Sequence, residues 1–356
     1  MLTTILSFIL VLGVLVFIHE FGHFIVAKRV GIRVDRFSLG FPPYIFTKKV
    51  GETAYSIGII PLGGFVKMAG ENPDDPHTGD PREFAAKTLG QRALVIFAGP
   101  FMNYVLAILL LTGVLYFGGQ PIFDNSKIVV GPVTHDFPAQ KAGLQTGDVI
   151  VGIDGQPVTN YDTLRARINR HYAEPLTLVW TRGPDTMTAV VRTKMDKYPN
   201  PQGGTDSVGV IGFGQKPIGY DQYSLWESTR RGFVTTHVIV WETVKFVKSV
   251  IFGQVSGKLI GGPIFIARQS GKEASKGAAS LIFFMALLSV NLAVLNVLPI
   301  PILDGGHLLF LLIEWIRGEP PSQRVRMVAQ QVGLLILVAL IVFVSYNDVL
   351  REIRGQ

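Results

Sequence analysis

Residues 4–27 read TILSFILVLGVLVFIHEFGHFIVA, and Lys28-Arg29 close the stretch. About 20 mainly apolar residues are enough for a helix to cross the hydrocarbon core of a bilayer, so this stretch is expected to be a membrane span. It is too long for the apolar core of a secretory signal, no basic residue precedes it, and no small-residue cleavage site follows. Yet His19, Glu20 and His23 sit inside it. Ionisable groups at membrane depth are costly and need partners, so they mark function by default.

Three further runs repeat the pattern. Residues 93–118 read ALVIFAGPFMNYVLAILLLTGVLYFG, a third run starts near Ser280 and is broken by Pro299 and Pro301, and a fourth covers 327–346. The stretch 225–252 is a fifth candidate. Its longest uncharged part is only 232–241, and Glu242, Lys245 and Lys248 follow at helical spacing, which predicts an amphipathic helix lying at the interface. The count decides the geometry. With four spans, the end of the first and the break after the third face the same side; with five they would not.

Composition agrees. Of 356 residues, 48% are hydrophobic and only 17% charged, against about 25% charged in soluble domains. That excludes a disordered chain, a collagen-like repeat and a disulfide scaffold. Length alone predicts about two domains at roughly 150 residues each. There is no cysteine, so no thiolate metal site, and the redox compartment is unreadable. The net charge of +7 is scattered, which argues against a nucleic-acid face. Basic residues near span ends favour the side holding Lys28, Arg29, Arg33, Arg36, Arg82, Lys87, Arg92, Arg317, Arg324 and Arg326 over the side holding Lys127, Arg268, Lys272, Lys276, Arg351 and Arg354. By the positive-inside rule, both termini and residues 119–279 are expected outside and residues 28–92 in the cytoplasm.

His19-Glu20-Phe21-Gly22-His23 is H-E-x-x-H. On a helix, positions i and i+4 share a face, so both imidazoles reach one metal, and Glu20 beside them is placed to act as general base. Neutral imidazole suits zinc. A catalytic zinc takes three protein ligands and keeps one position open, so a third ligand is required. Glu314 and His307 are possible, and Asp304 is favoured. It follows Asn296-Val297-Leu298-Pro299-Ile300-Pro301-Ile302-Leu303, where two prolines stop a helix at membrane depth, and Gly305-Gly306 allow a tight turn. Broken backbone there is tolerated only if it lines a cavity or is buried in protein. Asp304 also reads as a helix N-cap, and the two readings are compatible.

Together, H-E-F-G-H, Gly99-Pro100-Phe101-Met102-Asn103 and N-x-x-P-x-P-x-L-D-G-G-H resemble the site-2 protease family of intramembrane zinc metalloproteases, in particular the bacterial branch of regulated intramembrane proteolysis. Ile60–Met68, Gly262-Pro263-Ile264 and Ser289-Val290-Asn291 extend the resemblance over nearly the whole chain. It implies one zinc held by His19, His23 and Asp304, with Glu20 activating water and passing its proton to the leaving amine. It implies that Asn291 and Asn296 hold the substrate backbone near the metal and that Asn103 lines the same cavity; a helix–helix hydrogen bond is an equal reading for Asn103. The expected substrate is a single-span membrane protein, a pre-trimmed anti-sigma factor or a signal-peptide remnant.

A substrate helix must unwind before it is cut, so replacement backbone partners are needed. Tyr55–Ile60 and Gly64–Met68 around Pro61-Leu62-Gly63 read as a hairpin with an exposed edge, ready for strand addition. Gly58, Ile59, Ile60, Gly63 and Gly64 are the expected substrate contacts. Farther on, the pattern A-G-L-x-x-G-D-x-I-x-x-I-D-G at Ala142–Gly155 resembles a bacterial PDZ domain, which implies binding of a substrate's outer segment or a peptide C-terminus. His77, in a polar loop, reads as solvated. The expected fold is thus four transmembrane helices, a membrane-associated β-hairpin or sheet, and one extramembrane α+β PDZ domain. The expected division is 1–118, 119–198 (PDZ), 199–279 (linker with a short strand and the interfacial helix) and 280–356. The expected location is the bacterial inner membrane, multi-pass.

Overall fold

The stretch that opened the sequence forms one helix, α1 (Leu2–Arg29). It ends where Lys28 and Arg29 place positive charge on its C-terminal carbonyls. Its buried positions, Val11, Leu15, His19, Gly22, His23 and Ala27, recur every three or four residues and make one stripe. A computed structural model describes residues 2–71, 78–124, 126–199, 205–255 and 260–353; the loop with His77 lies outside them. Four of its helices are long and apolar enough to span a membrane: Leu2–Arg29, Leu89–Gly118, Ala278–Val297 and Gln323–Leu350.

The chain divides into two compact units. One comprises Met1–Val114, Ser224–Val247 and Gly257–Gln356; the other comprises Leu115–Tyr223 and Lys248–Ser256.

In the first unit, β1 (Val34–Val50) and β2 (Thr53–Met68) follow α1. The chain turns at Gly51-Glu52 and reverses again around Pro61-Leu62-Gly63, but the two arms of β2 do not pair with each other as the hairpin that the sequence reading expected, because Phe37–Leu39 of β1 lie between them. Gly51 supplies the positive φ, +60°, that a tight two-residue turn requires. The two strands curl, so that Phe37, Ser38 and Leu39 pair on one side with Val66, Phe65 and Gly64 and on the other with Tyr55, Ser56 and Ile57. The segment Gly64–Val66 is therefore an edge.

Helix α2 (Leu89–Gly113) opens with a capping box, in which Thr88 and Gln91 satisfy each other's backbone N–H groups. It crosses α1 at very short range. A Cβ on Gly22 would lie 2.3 Å from the Ala98 carbonyl oxygen. Small residues let membrane helices approach this closely. The glycine inside H-E-F-G-H thus has a packing role. The fifth candidate becomes α5 (Leu225–Ile251). Its Ser228, Gly232 and Thr236 are buried, and a Cβ on Gly232 would meet Thr112 Oγ1 at 2.8 Å. It crosses α2 at that point, a contact that the interfacial reading had not anticipated. Among the described residues it is not one of the span candidates.

Helix α6 (Pro263–Lys276) is capped from a distance: the backbone N–H groups of Gly262 and Phe265 donate to Asp348. Helix α7 (Ala278–Val297) stops ahead of Pro299 and Pro301, and α8 (Asp304–Arg317) starts after a six-residue break. Gly305 and Gly306 sit against backbone carbonyls of Val297, Leu298 and Ile300, where a Cβ would lie at 2.2–2.3 Å. Only glycines let α8 fold back onto the end of α7. Helix α9 (Gln323–Ile353) completes the unit.

The second unit contains β3 (Gln120–Ile122), β4 (Ile128–Val133), α3 (Pro138–Lys141), β5 (Val149–Ile153), β6 (Gln156–Pro157), α4 (Tyr161–Arg170), β7 (Pro175–Arg182), β8 (Asp185–Arg192), β9 (Lys194–Pro199), β10 (Thr205–Val210), β11 (Phe213–Gln215) and β12 (Gly219–Asp221). Strands β11-β4-β5-β7-β8 form one sheet, with β6 on β5. Its core holds Val130, Ile150, Leu164, Leu176, Leu178 and Trp180, all almost fully buried. Each such aliphatic side chain contributes about 1.5–3 kcal/mol. Gly143 and Gly147 of the A-G-L-x-x-G-D run have φ of +83° and +102°. Asp148 is buried, accepts both arms of Arg182 at 2.8 Å and accepts the Gln145 N–H. The Arg182 guanidinium holds that carboxyl below the ordinary range. The motif's charge is therefore a structural pin.

Candidate active site

Helix α1 presents His19 and His23 on one face, one turn apart, with Nε2 atoms 3.2 Å from each other. Asp304, the first residue of α8, reaches both: Oδ2 lies 3.1 Å from His19 Nε2 and Oδ1 3.5 Å from His23 Nε2. Gly99 of α2 backs the pair. A Cβ there would sit 2.3 Å from His23 Nε2 and 2.9 Å from His19 Cε1, so the imidazoles occupy the room that only a glycine leaves.

The protonation pattern follows from the partners. His23 Nδ1 is 2.9 Å from the Val95 carbonyl and donates to it, which leaves Nε2 as a lone pair. Asn103, fully buried, places its amide 3.2 Å from His19 Nδ1. Asn103 Oδ1 is buried without a hydrogen bond; with the amide turned over it would accept an Nδ1 proton, and His19 Nε2, 3.4 Å from the Asn296 amide nitrogen, would keep its lone pair. Asp304 Oδ2 is also buried with no hydrogen bond. Two lone pairs and a carboxylate thus converge, all within 4.8 Å. Electron-rich atoms at that spacing repel unless a cation gathers them. Two imidazoles and one carboxylate match the donor set of a catalytic zinc with three protein ligands.

Residues 7–340 match the profile of Peptidase family M50. The chain belongs to this family. A Clostridium perfringens relative is 38% identical over 97% of this chain and 98% of its own. The zinc metalloprotease RasP of Geobacillus kaustophilus is 32% identical over 98% of each chain, and that of Oceanobacillus iheyensis 30% over 98% of this chain and 99% of its own. The PDZ domain of an SdrC-like protein from Listeria innocua aligns along its whole length with 28% of this chain, at 19% identity and a TM-score of 0.21. This M50 peptidase is a zinc metalloprotease of the site-2 protease type and a multi-pass membrane protein.

The peptidase's other expected site residues separate. Glu20 faces Gly64, whose added Cβ would meet Glu20 Cγ at 3.0 Å. Gly64, Phe65 and Val66 line the same cavity as His19, Glu20, His23 and Asp304. Gly63 instead packs on the Phe41 ring. Gly58 and Ile60 pair with Tyr44 and Phe41 in the distal part of the sheet, and Ile59 between them is exposed. Asn296 Nδ2 lies 3.4 Å from His19 Nε2, whereas Asn291 accepts from Thr243 Oγ1 of α5 at 2.8 Å. Glu314 is committed elsewhere: Arg92 donates to both its oxygens, at 2.6 and 3.1 Å.

The sequence reading missed the roles of Gly99 and of the Val95 carbonyl. It also missed the polar wall of the cavity, where Arg92, His307, Glu314, Arg326 and Gln330 face the metal corner. Burial lowers the pKa of the His307 imidazole, Asp304 opposes this, and the Arg326 guanidinium adds to it.

An outer-shell partner of a ligating histidine is worth 10–100-fold in metal affinity. Asn103→Ala is therefore expected to weaken zinc retention by about that factor, read by competition with a chelator. Unchanged retention would make Asn103 a packing residue only.

Proposed function

We propose that this peptidase cuts a transmembrane segment of a single-span membrane protein, as the later step of regulated intramembrane proteolysis. One observation carries the reading: His19, His23 and Asp304 converge at the end of apolar helices, on a polar cavity of ≈ 530 Å³. Hydrolysis needs water, which hydrocarbon excludes, and such a cavity admits it.

His19, His23 and Asp304 would hold one zinc, which when bound polarises the scissile carbonyl and acidifies water. Glu20 accepts a proton from the attacking water and delivers it to the leaving amine nitrogen. The open edge at Gly64–Val66 offers backbone partners to an unwound substrate strand, and Asn296 steadies the peptide near the metal. Asn103 acts through His19. The helical parts, 1–118 and 280–356, form the catalytic body. Residues 119–198 act as a PDZ-like module for the substrate's outer segment or for a peptide C-terminus. Basic span ends support an active site toward the cytoplasm, with both termini and that module periplasmic. A trimmed anti-sigma factor fits this arrangement, because trimming leaves one span with a short outer stub; signal-peptide remnants share that form.

The test is cleavage in proteoliposomes of two reporters with the same span, one carrying a short outer stub and one a folded outer domain. The stub reporter is expected to be cut, zinc removal to stop it, and the bulky one to be spared. Cutting of soluble peptides but of neither reporter would overturn the intramembrane assignment.

A further inference from the structure

Among the described residues, one charged side chain that lines the cavity from α2, α8 and α9 has no ion-pair partner. Glu314 is bonded bidentately to Arg92, with both side chains 12% exposed, so that pair cancels. Glu71 accepts the Met68 N–H on the strand side. Asp304 belongs to the metal corner. That leaves Arg326 of α9, half-buried, lining the cavity, with its Nε buried and without a hydrogen bond among the described residues. Gln330, one turn farther along α9, lines the cavity too and shares its helix face. A half-buried guanidinium without a counter-charge is incomplete, since burial of an unpaired charge is costly. Its planar fork fits a carboxylate.

The reaction makes a carboxylate in this cavity. Water adds its oxygen to the acyl carbon, the C–N bond breaks, and the leaving nitrogen takes a proton. The acyl fragment keeps the oxygen and ionises as a new C-terminus. We propose that Arg326, with Gln330, receives the new C-terminal carboxylate of the acyl-side product and draws it off the metal corner. This rests on the protease reading above.

The experiment uses the full-length, zinc-loaded Glu20→Gln protein, which cannot turn over. Binding of a synthetic acyl-side fragment is measured as the free acid and as the C-terminal amide. A charge-assisted, paired contact favours the acid by about tenfold or more. Arg326→Gln is expected to reduce that preference at least fivefold with zinc stoichiometry unchanged, and Arg326→Lys to retain part of it. An acid preference that persists in Arg326→Gln assigns the carboxylate to the metal alone and overturns the proposal. So does equal binding of acid and amide before any change at Arg326, and so does zinc loss in both Arg326 variants, which would make the residue structural. Failure of the protease reading shows separately, as absence of reporter cleavage by the unaltered protein.

Discussion

Glu20→Gln is expected to lower the rate of reporter cleavage by about 10²–10⁴-fold while zinc stays bound one to one. The substitution keeps size and shape and removes only the capacity to accept a proton. Glu20 lies outside the trio of converging donors, which is His19, His23 and Asp304, so the metal site has no reason to empty. Glu20 faces the strand edge at Gly64 instead, where a substrate backbone would lie. The measurement pairs single-turnover cleavage with metal analysis on the same sample. Residual cleavage within tenfold of the unaltered enzyme would mean that another group takes the proton. Loss of zinc would mean that Glu20 belongs to the ligand sphere.

Asp304→Asn should do the reverse, emptying the site first and losing activity as a consequence. The neutral amide keeps the volume but removes the charge that holds two lone-pair nitrogens and a cation together. Its effect on zinc affinity is expected to exceed the 10–100-fold of an outer-shell change, and so to exceed that of Asn103→Ala. Glu314→Gln provides the contrast. Its carboxylate is bonded to Arg92, so zinc retention is expected to survive that change. Chelator competition on the three variants ranks them. If Glu314→Gln empties the site and Asp304→Asn does not, the ligand assignment fails.

The elements read most easily from sequence were those with a local cause. Apolar runs of about 20 residues become helices regardless of neighbours, because lipid leaves the backbone no partner but itself. The i, i+4 histidines share a face by helix geometry alone. Pro299 and Pro301 end α7 through local sterics. The reversal at Pro61-Leu62-Gly63 was legible from its residue types, but the strand against which each arm pairs was not. The insertion of Phe37–Leu39 between two segments of β2 is a long-range event with no local signature. Asn103 and Asn291 look alike as polar residues within spans, yet one meets His19 and the other Thr243.

The amino-acid order alone therefore determined the chemistry on offer: which helices form, that two imidazoles and a base share one face, and that an aspartate follows a break. Only the tertiary structure decided which acid meets the imidazoles, which asparagine orients them, and which guanidinium has no ion pair among the described residues. Helix formation is paid in hydrogen bonds a few residues long, whereas coordination and ion pairing depend on contacts hundreds of residues apart, such as Arg92 with Glu314. Those distances are set by how α1, α2 and α8 pack, through Gly22, Gly99 and Gly305, where the absence of a side chain is what brings the reactive groups within reach.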